Sequence, residues 1–120
     1  MPKDLSLKLK KDFQRLFKSG IRKSSKHFTI IFIDSISLKF AFIVDAKTMP
    51  TAAHRNYSKR IMREIVRTYF LTSISKPLHI GIRPLIDLKN LVKEIGFEKV
   101  ENELIELLKT IDFSRPAIRK

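Results

Sequence analysis

The chain has 120 residues, 25 Lys plus Arg against 12 Asp plus Glu for a formal net charge of +13, and 43% hydrophobic residues, which suits one compact domain with a modest core and is too short for two ordinary ones. The absence of cysteine excludes disulfides, thiolate zinc sites and cysteine nucleophiles, and it fits a reducing, cytoplasmic setting. No apolar run approaches the roughly 20 residues of a membrane span, and residues 1–11 lack the apolar core of a signal peptide.

The charge is unevenly placed. Residues 1–28 carry nine Lys or Arg and two Asp, whereas residues 84–113 carry four Lys and seven Asp or Glu. A charge that served only solubility would not concentrate in two segments and reverse sign in a third. With a pI near 10.3, a polyanion is the expected partner, and nucleic acid is the first class to consider.

In chain order, Leu9, Phe13, Leu16 and Phe17 recur at helical spacing and Gly20 follows as a terminator, so a first amphipathic helix is expected over residues 8–19. Lys10, Lys11, Arg15 and Lys18 occupy its other side, and the basic, serine-containing stretch 21–26 reads as a link. Residues 27–33 and 38–44 are rich in β-branched and aromatic side chains and flank residues 34–37, which read as a hairpin connection, so the two strands are expected to pair antiparallel. A loop over residues 45–53 precedes a basic helix, with Thr51 as its N-cap. Lys76-Pro77 marks an extended approach to a third strand at 78–82, which makes a β-α-β crossover. Leu88, Leu91, Val92 and Ile95 form a short helical pattern that Gly96 interrupts. Phe97, Val100, Leu104, Leu107 and Ile111 define a last, structural helix with Glu98, Glu101, Glu103 and Glu106 on a solvated face. Residues 1–113 are expected to form a single RNA-binding domain and residues 114–120 a frayed basic tail.

The basic helix is the most informative element. Arg55, Lys59, Arg63 and Arg67 follow at successive i, i+4 steps while Ile61, Ile65 and Tyr69 descend another side. Glu64 is the one acid set against the five Lys and Arg of residues 54–67, so neighbours on the helix cannot cancel the charge.

The run Arg55-Asn56-Tyr57-Ser58-Lys59-Arg60-Ile61-Met62-Arg63-Glu64, flanked by the Phe13, Phe17, Gly20 run and the strand end Ile80-Gly81-Ile82-Arg83, resembles the bacterial ribonuclease P protein subunit. That family's helix signature is Arg-Asn-Arg-x-Lys-Arg-x-x-Arg-Glu, and the resemblance extends from about Leu9 to Ile111. Tyr57 stands where the signature has its second arginine, and only Lys47 matches the lysines usual in the preceding loop. The resemblance implies a small α+β fold of the ribosomal S5 second-domain type. Its order is α-β-β-α-β-α, with a small, mainly antiparallel sheet packed with helices and a left-handed β-α-β crossover, an exception to the usual handedness. It also implies a protein that joins a large catalytic RNA to cut the 5′ leader from precursor tRNA by magnesium-assisted hydrolysis. The chemistry is then carried by the RNA, the magnesium is bound mainly by the RNA subunit and substrate, the protein alone is inactive, and neither a catalytic residue of the chain nor an obligate protein partner is implied.

Arg55, Lys59, Arg60, Arg63 and Arg67 are assigned to RNA backbone contacts, because the planar guanidinium fork donates two parallel hydrogen bonds to phosphate. Pairing of Arg60 with Glu64 at i, i+4 would occupy one arginine at most. The resemblance adds Lys47 and Arg83 to the RNA-binding set and places Asn56 near a metal site, although the residue alone also reads as a capping or surface amide. Phe13, Phe17 and Phe28 are candidates for a cleft that binds the leader, since an aromatic face stacks on any unpaired base. Phe13 and Phe17 share a face with Leu9 and Leu16, so a core role for them stays open. The alternative function is a noncatalytic structural RNA-binding protein, such as a ribosomal one. An independent metal nuclease would need clustered carboxylates, and Asp34, Asp45 and Glu64 are not spaced that way. A membrane-surface role would need bulky apolar residues beside the basic ones.

Overall fold

The computed structural model describes residues 7–36, 38–72 and 78–113. Eight elements follow in order: α1 (Lys10–Ser19), β1 (Ile21–Ser24), β2 (Phe28–Asp34), β3 (Lys39–Phe42), α2 (Ala52–Thr72), β4 (Leu78–Pro84), α3 (Leu88–Ile95) and α4 (Phe97–Phe113). The strands form one mixed sheet in the order β1-β2-β4-β3. β1 and β4 each pair antiparallel with β2, and β3 pairs parallel with β4.

This α+β fold corrects the expected topology in two places. The expected hairpin partners β2 and β3 are not neighbours, because β4 lies between them. Six of the seven residues of β4 are buried, so this strand takes a central place, whereas the four-residue β3 serves as an edge. The stretch 21–26, read as a link, contains β1, whose alternating exposure and charged side chains suit the opposite edge. With β1 added and the 88–95 pattern standing as a helix of its own before α4, the element order is α-β-β-β-α-β-α-α. The β-α-β crossover through α2 joins the parallel neighbours β3 and β4. The Lys76-Pro77 approach, Ser37 of the hairpin connection and the 114–120 tail lie outside the described residues.

Alternation along the strands gives the sheet two different faces. Phe28, Ile30 and Phe32 of β2, Phe40 of β3, and Leu78, Ile80 and Ile82 of β4 join Met62, Ile65, Val66 and Tyr69 of α2 and the apolar sides of α3 and α4 in the main core. On the other face, Ile31 and Ala41 pack with Leu7 and with Leu16 of α1. Gly20 and Gly81 permit this second layer. A Cβ on Gly20 would lie 2.5 Å from the Leu16 carbonyl oxygen and 2.6 Å from Ile31 Cγ1, and one on Gly81 would lie 3.0 Å from Ile31 Cγ2 and 3.3 Å from Leu16 Cδ2. Gly20 ends α1 in extended backbone (φ −72°), so close approach to the sheet, and not a left-handed cap, explains its place. Gly96 between α3 and α4 does adopt a positive φ of 93°, which favours glycine.

Glu103 is not simply solvated on α4. Its carboxylate accepts from Ser25 Oγ (2.6 Å) and the His27 backbone N–H (2.6 Å) and lies 2.8 Å from His27 Nδ1, tying α4 to the β1–β2 turn. Desolvation raises its pKa, but the hydrogen bonds from Ser25 and His27 outweigh it and hold the carboxyl below its ordinary value.

His79 of β4 is buried, with Nε2 3.0 Å from Ser35 Oγ and Nδ1 without a partner among the described residues. Desolvation lowers its pKa, with Asp12 opposing and Arg15 and Lys39 reinforcing the shift. A folded-state pKa below the unfolded value of about 6.5 means that the unfolded chain binds more protons. His79 therefore contributes stability above about pH 6.5 that is lost as pH falls toward its folded pKa. In urea denaturation across that range, wild type is expected to lose stability relative to His79→Gln, which keeps a polar group but does not titrate; parallel pH profiles would refute this.

Candidate nucleic-acid interface

α2 begins as expected. The Thr51 hydroxyl accepts from the His54 backbone N–H at 3.2 Å, satisfying one of the free donors at the helix start. Ser58, Met62, Ile65, Val66 and Tyr69 form its buried side, with Ile61 packed at the margin.

The basic residues do not form one uniform strip. Each i, i+4 step overshoots a full turn by about 40°, so the row Arg55, Lys59, Arg63, Arg67 winds from beside the packed side to the side opposite. Arg55 is half-buried, and its Nη1 donates to the Met49 and Pro50 carbonyl oxygens at 2.8 and 3.1 Å, bracing the loop that leads into the helix. Lys59 is half-buried, while Asn56, Arg60, Arg63 and Arg67 are exposed. Arg67, not Arg60, takes the local acid, donating to both Glu64 oxygens at 2.7 and 2.9 Å. Both groups are well exposed, so this pair is worth at most about 1 kcal/mol and is easily exchanged for another anion. Arg63 lies 5.8 Å from the ring centre of Phe42 on the edge strand, and Arg60 lies 5.8 Å from that of Tyr57. No carboxylate of a described residue pairs with Lys59, Arg60 or Arg63. Their charge faces outward uncancelled.

On the α1 face of the sheet, an open groove of about 230 Å³ is lined by Phe17, Arg22, Thr29, Ile31, Ile43, Gly81 and Arg83. The register explains the grouping: Arg22 lies opposite Ile31, Ile31 opposite Gly81, and Thr29 opposite Arg83, all on one face. Without a Cβ, Gly81 leaves the floor low between Ile31 and Ile43. Phe17 is 41% exposed. Phe13 is half-buried against the second core layer, its ring centre 6.1 Å from that of Phe17, and it supports that ring without lining the groove.

Phe28 is a correction. It is fully buried in the main core with Ile30 and Phe32, on the face opposite the groove, because strand alternation separates it from Thr29 and Ile31. Its aromatic face is unavailable to a base.

Arg83 lies at the groove wall and donates to Asp45 Oδ2 at 2.9 Å. Asp45 also accepts from the Thr48 N–H at 2.8 Å. The Thr48 backbone N–H and then its side chain outweigh desolvation, and Arg83 adds a smaller effect in the same direction, so the Asp45 carboxyl is held below its ordinary range. The turn carrying the exposed Lys47 is thus joined both to the groove and, through Arg55, to the start of α2. Arg22, Thr29, Ile31, Ile43 and Gly81 were not anticipated in this site. Odd-numbered parity along β2 and β4 would have grouped most of them once the strand pairing was known.

Asn56 offers a single exposed amide oxygen, and among the described residues no group of three His, Cys, Asp or Glu could hold a metal ion. The donor set does not fit a metal site built by the protein itself. No described helix is long and apolar enough to cross a membrane.

A groove with an aromatic wall and a guanidinium at its rim fits a single-stranded polyanion, and the outward cations of α2, which packs on the opposite face of the sheet, add a second basic surface. The sequence profile of the family described as Ribonuclease P matches residues 1–112. The chain belongs to the ribonuclease P protein family. It is 30% identical over 107 residues to the ribonuclease P protein component of Thermotoga petrophila, covering 88% of this chain and 91% of that protein. With the component from Nitratiruptor sp. it shares 26% identity over 106 residues, with coverage of 88% and 91%. Among solved structures, the RNase P protein from Thermotoga maritima superposes with a TM-score of 0.77 at 30% identity, over 88% of this chain and 96% of that one. A Staphylococcus aureus RNase P protein mutant gives a TM-score of 0.75 at 22% identity, over 92% and 90%, and supports the fold alone. As a ribonuclease P protein, the chain is the protein subunit of a tRNA-processing ribonuclease, and such components work with the RNase P RNA. A structural ribosomal role is not favoured.

Proposed function

We propose that the chain binds the catalytic RNA through the outward side of α2 and holds the single-stranded 5′ leader of precursor tRNA in the groove, assisting endonucleolytic removal of the leader in the cytoplasm. The observation that carries this reading is the groove itself. Phe17 stands over an apolar floor with Arg22 and Arg83 beside it, which accommodates bases by stacking and phosphates by charge without reading sequence. Two polyanions brought together repel, and Lys59, Arg60 and Arg63, with Lys47 and the exchangeable Arg67, lower that repulsion and release counterions. Arg55 acts chiefly by fixing the loop. In this reading the hydrolysis and its magnesium belong to the RNA and substrate, while the protein supplies position and charge. Asn56, exposed on the same side of α2 as Arg60 and Arg63, contributes a hydrogen bond to the RNA backbone or to the water shell of an RNA-held ion.

The test is reconstitution with the organism's own RNase P RNA and a labelled precursor. The protein is expected to lower the magnesium concentration needed for cleavage at the mature 5′ end, with no cleavage by protein alone. An unchanged magnesium requirement, or cutting by the protein without RNA, would overturn the reading.

A further inference from the structure

Tyr57 of α2 is half-buried at the junction with α3, and two cations converge on its ring. Arg60 lies 5.8 Å and the Lys89 ammonium 5.9 Å from the ring centre, both within the range of cation–π attraction. The arrangement is built from both helices. Asp87 caps α3, its Oδ1 accepting from the Lys89 backbone N–H at 3.0 Å, while its Oδ2 engages His54 Nδ1, one turn before Tyr57 on α2. The carboxylate nearest in sequence to Lys89 is therefore occupied in holding the helix starts together. Among the described residues, neither Lys89 nor Arg60 has an acidic partner. Two exposed cations gathered on one ring with no acid between them repel each other, and an anion placed against both would relieve that repulsion.

We propose that Arg60, Tyr57 and Lys89 form a phosphate-binding site that carries the RNA surface from α2 across to the first turn of α3. The inference rests on the RNA-binding reading of α2. Lys89 donates to the phosphate, Arg60 contacts it or its neighbour, and Tyr57 sets the spacing of the two cations and offers its hydroxyl as a further donor. His54 and Asp87 are positioning residues, acting through the start of α3.

The test is the salt dependence of affinity for the RNase P RNA, measured for the full chain. Lys89→Gln is expected to flatten the slope of log K against log salt by about 0.7–0.9, one phosphate contact, whereas Lys93→Gln, also exposed and one turn further along α3, leaves it unchanged. Adding Tyr57→Arg to Lys89→Gln returns a cation to the same place and is expected to restore the slope. If Lys89→Gln matches wild type while Arg63→Gln flattens the slope, the proposed site is wrong and the α2 reading stands. If Lys89→Gln and Lys93→Gln flatten it equally, the effect is one of overall charge and the site is also wrong. If neither Lys89→Gln nor Arg63→Gln changes the slope, the RNA-binding reading itself falls.

Discussion

Exchanging Lys59, Arg60 and Arg63 together for glutamine is expected to weaken binding to the RNase P RNA by about 100- to 1,000-fold near physiological salt. The three are chosen because no described carboxylate neutralises them and because they follow the outward turn of α2. At about 1.5 kcal/mol for a hydrogen bond to a charged group, three independent contacts would reach the upper figure. Neighbouring cations share phosphates and do not add fully, hence the lower one. The salt slope should flatten by about 2 to 3 at the same time. Glutamine keeps length and helix propensity, and Arg60 and Arg63 are exposed while Lys59 is half-buried, so thermal melting is expected to stay close to wild type. Arg55→Gln should behave differently, because its Nη1 bonds to the Met49 and Pro50 carbonyl oxygens. Its loss loosens the loop before it costs a phosphate contact.

Phe17→Ala is expected to reduce affinity for leader-bearing precursor by about 5- to 150-fold, the loss of roughly 1–3 kcal/mol of base stacking, with mature tRNA bound as before. The contrast is the informative quantity. Phe17 lines the groove and is largely outside the core, so its truncation acts mainly on whatever occupies the groove. Phe28→Ala, by comparison, empties a fully buried site and should cost about 3–5 kcal/mol of stability, with no selective effect on the leader. Equal losses for precursor and mature tRNA in Phe17→Ala would remove Phe17 from leader binding.

Helices and the basic face were legible in the sequence because their signals are local. The 3.6-residue period placed α1 to within two residues at its start, and the pattern Leu88, Leu91, Val92, Ile95 marked the whole of α3 before Gly96. Thr51 declared the start of α2 by its capping chemistry. The even winding of an i, i+4 row was also computable, and it already implied that Arg55 and Arg67 could not face the same way. Strand pairing was not legible, since β2 is apolar on both faces and so names no partner, and its true neighbour β4 lies more than forty residues further along the chain. The same ambiguity put Phe28 with Phe17, because alternation separates residues onto two faces but only the packed helices decide which face becomes groove. β1 was missed because a four-residue edge strand with two cations has too short a pattern to stand out. The Tyr57 and Lys89 contact joins two helices across 32 positions of the chain, a separation that no local period reports.

Affinity for the RNase P RNA, measured across a salt series at constant magnesium, tests the central claim most directly. If about six side chains of this surface neutralise phosphates, log K falls with log salt at a slope of about −4 to −5. A slope near −1 would mean that the outward cations of α2 do not meet the RNA backbone, and the account would be contradicted.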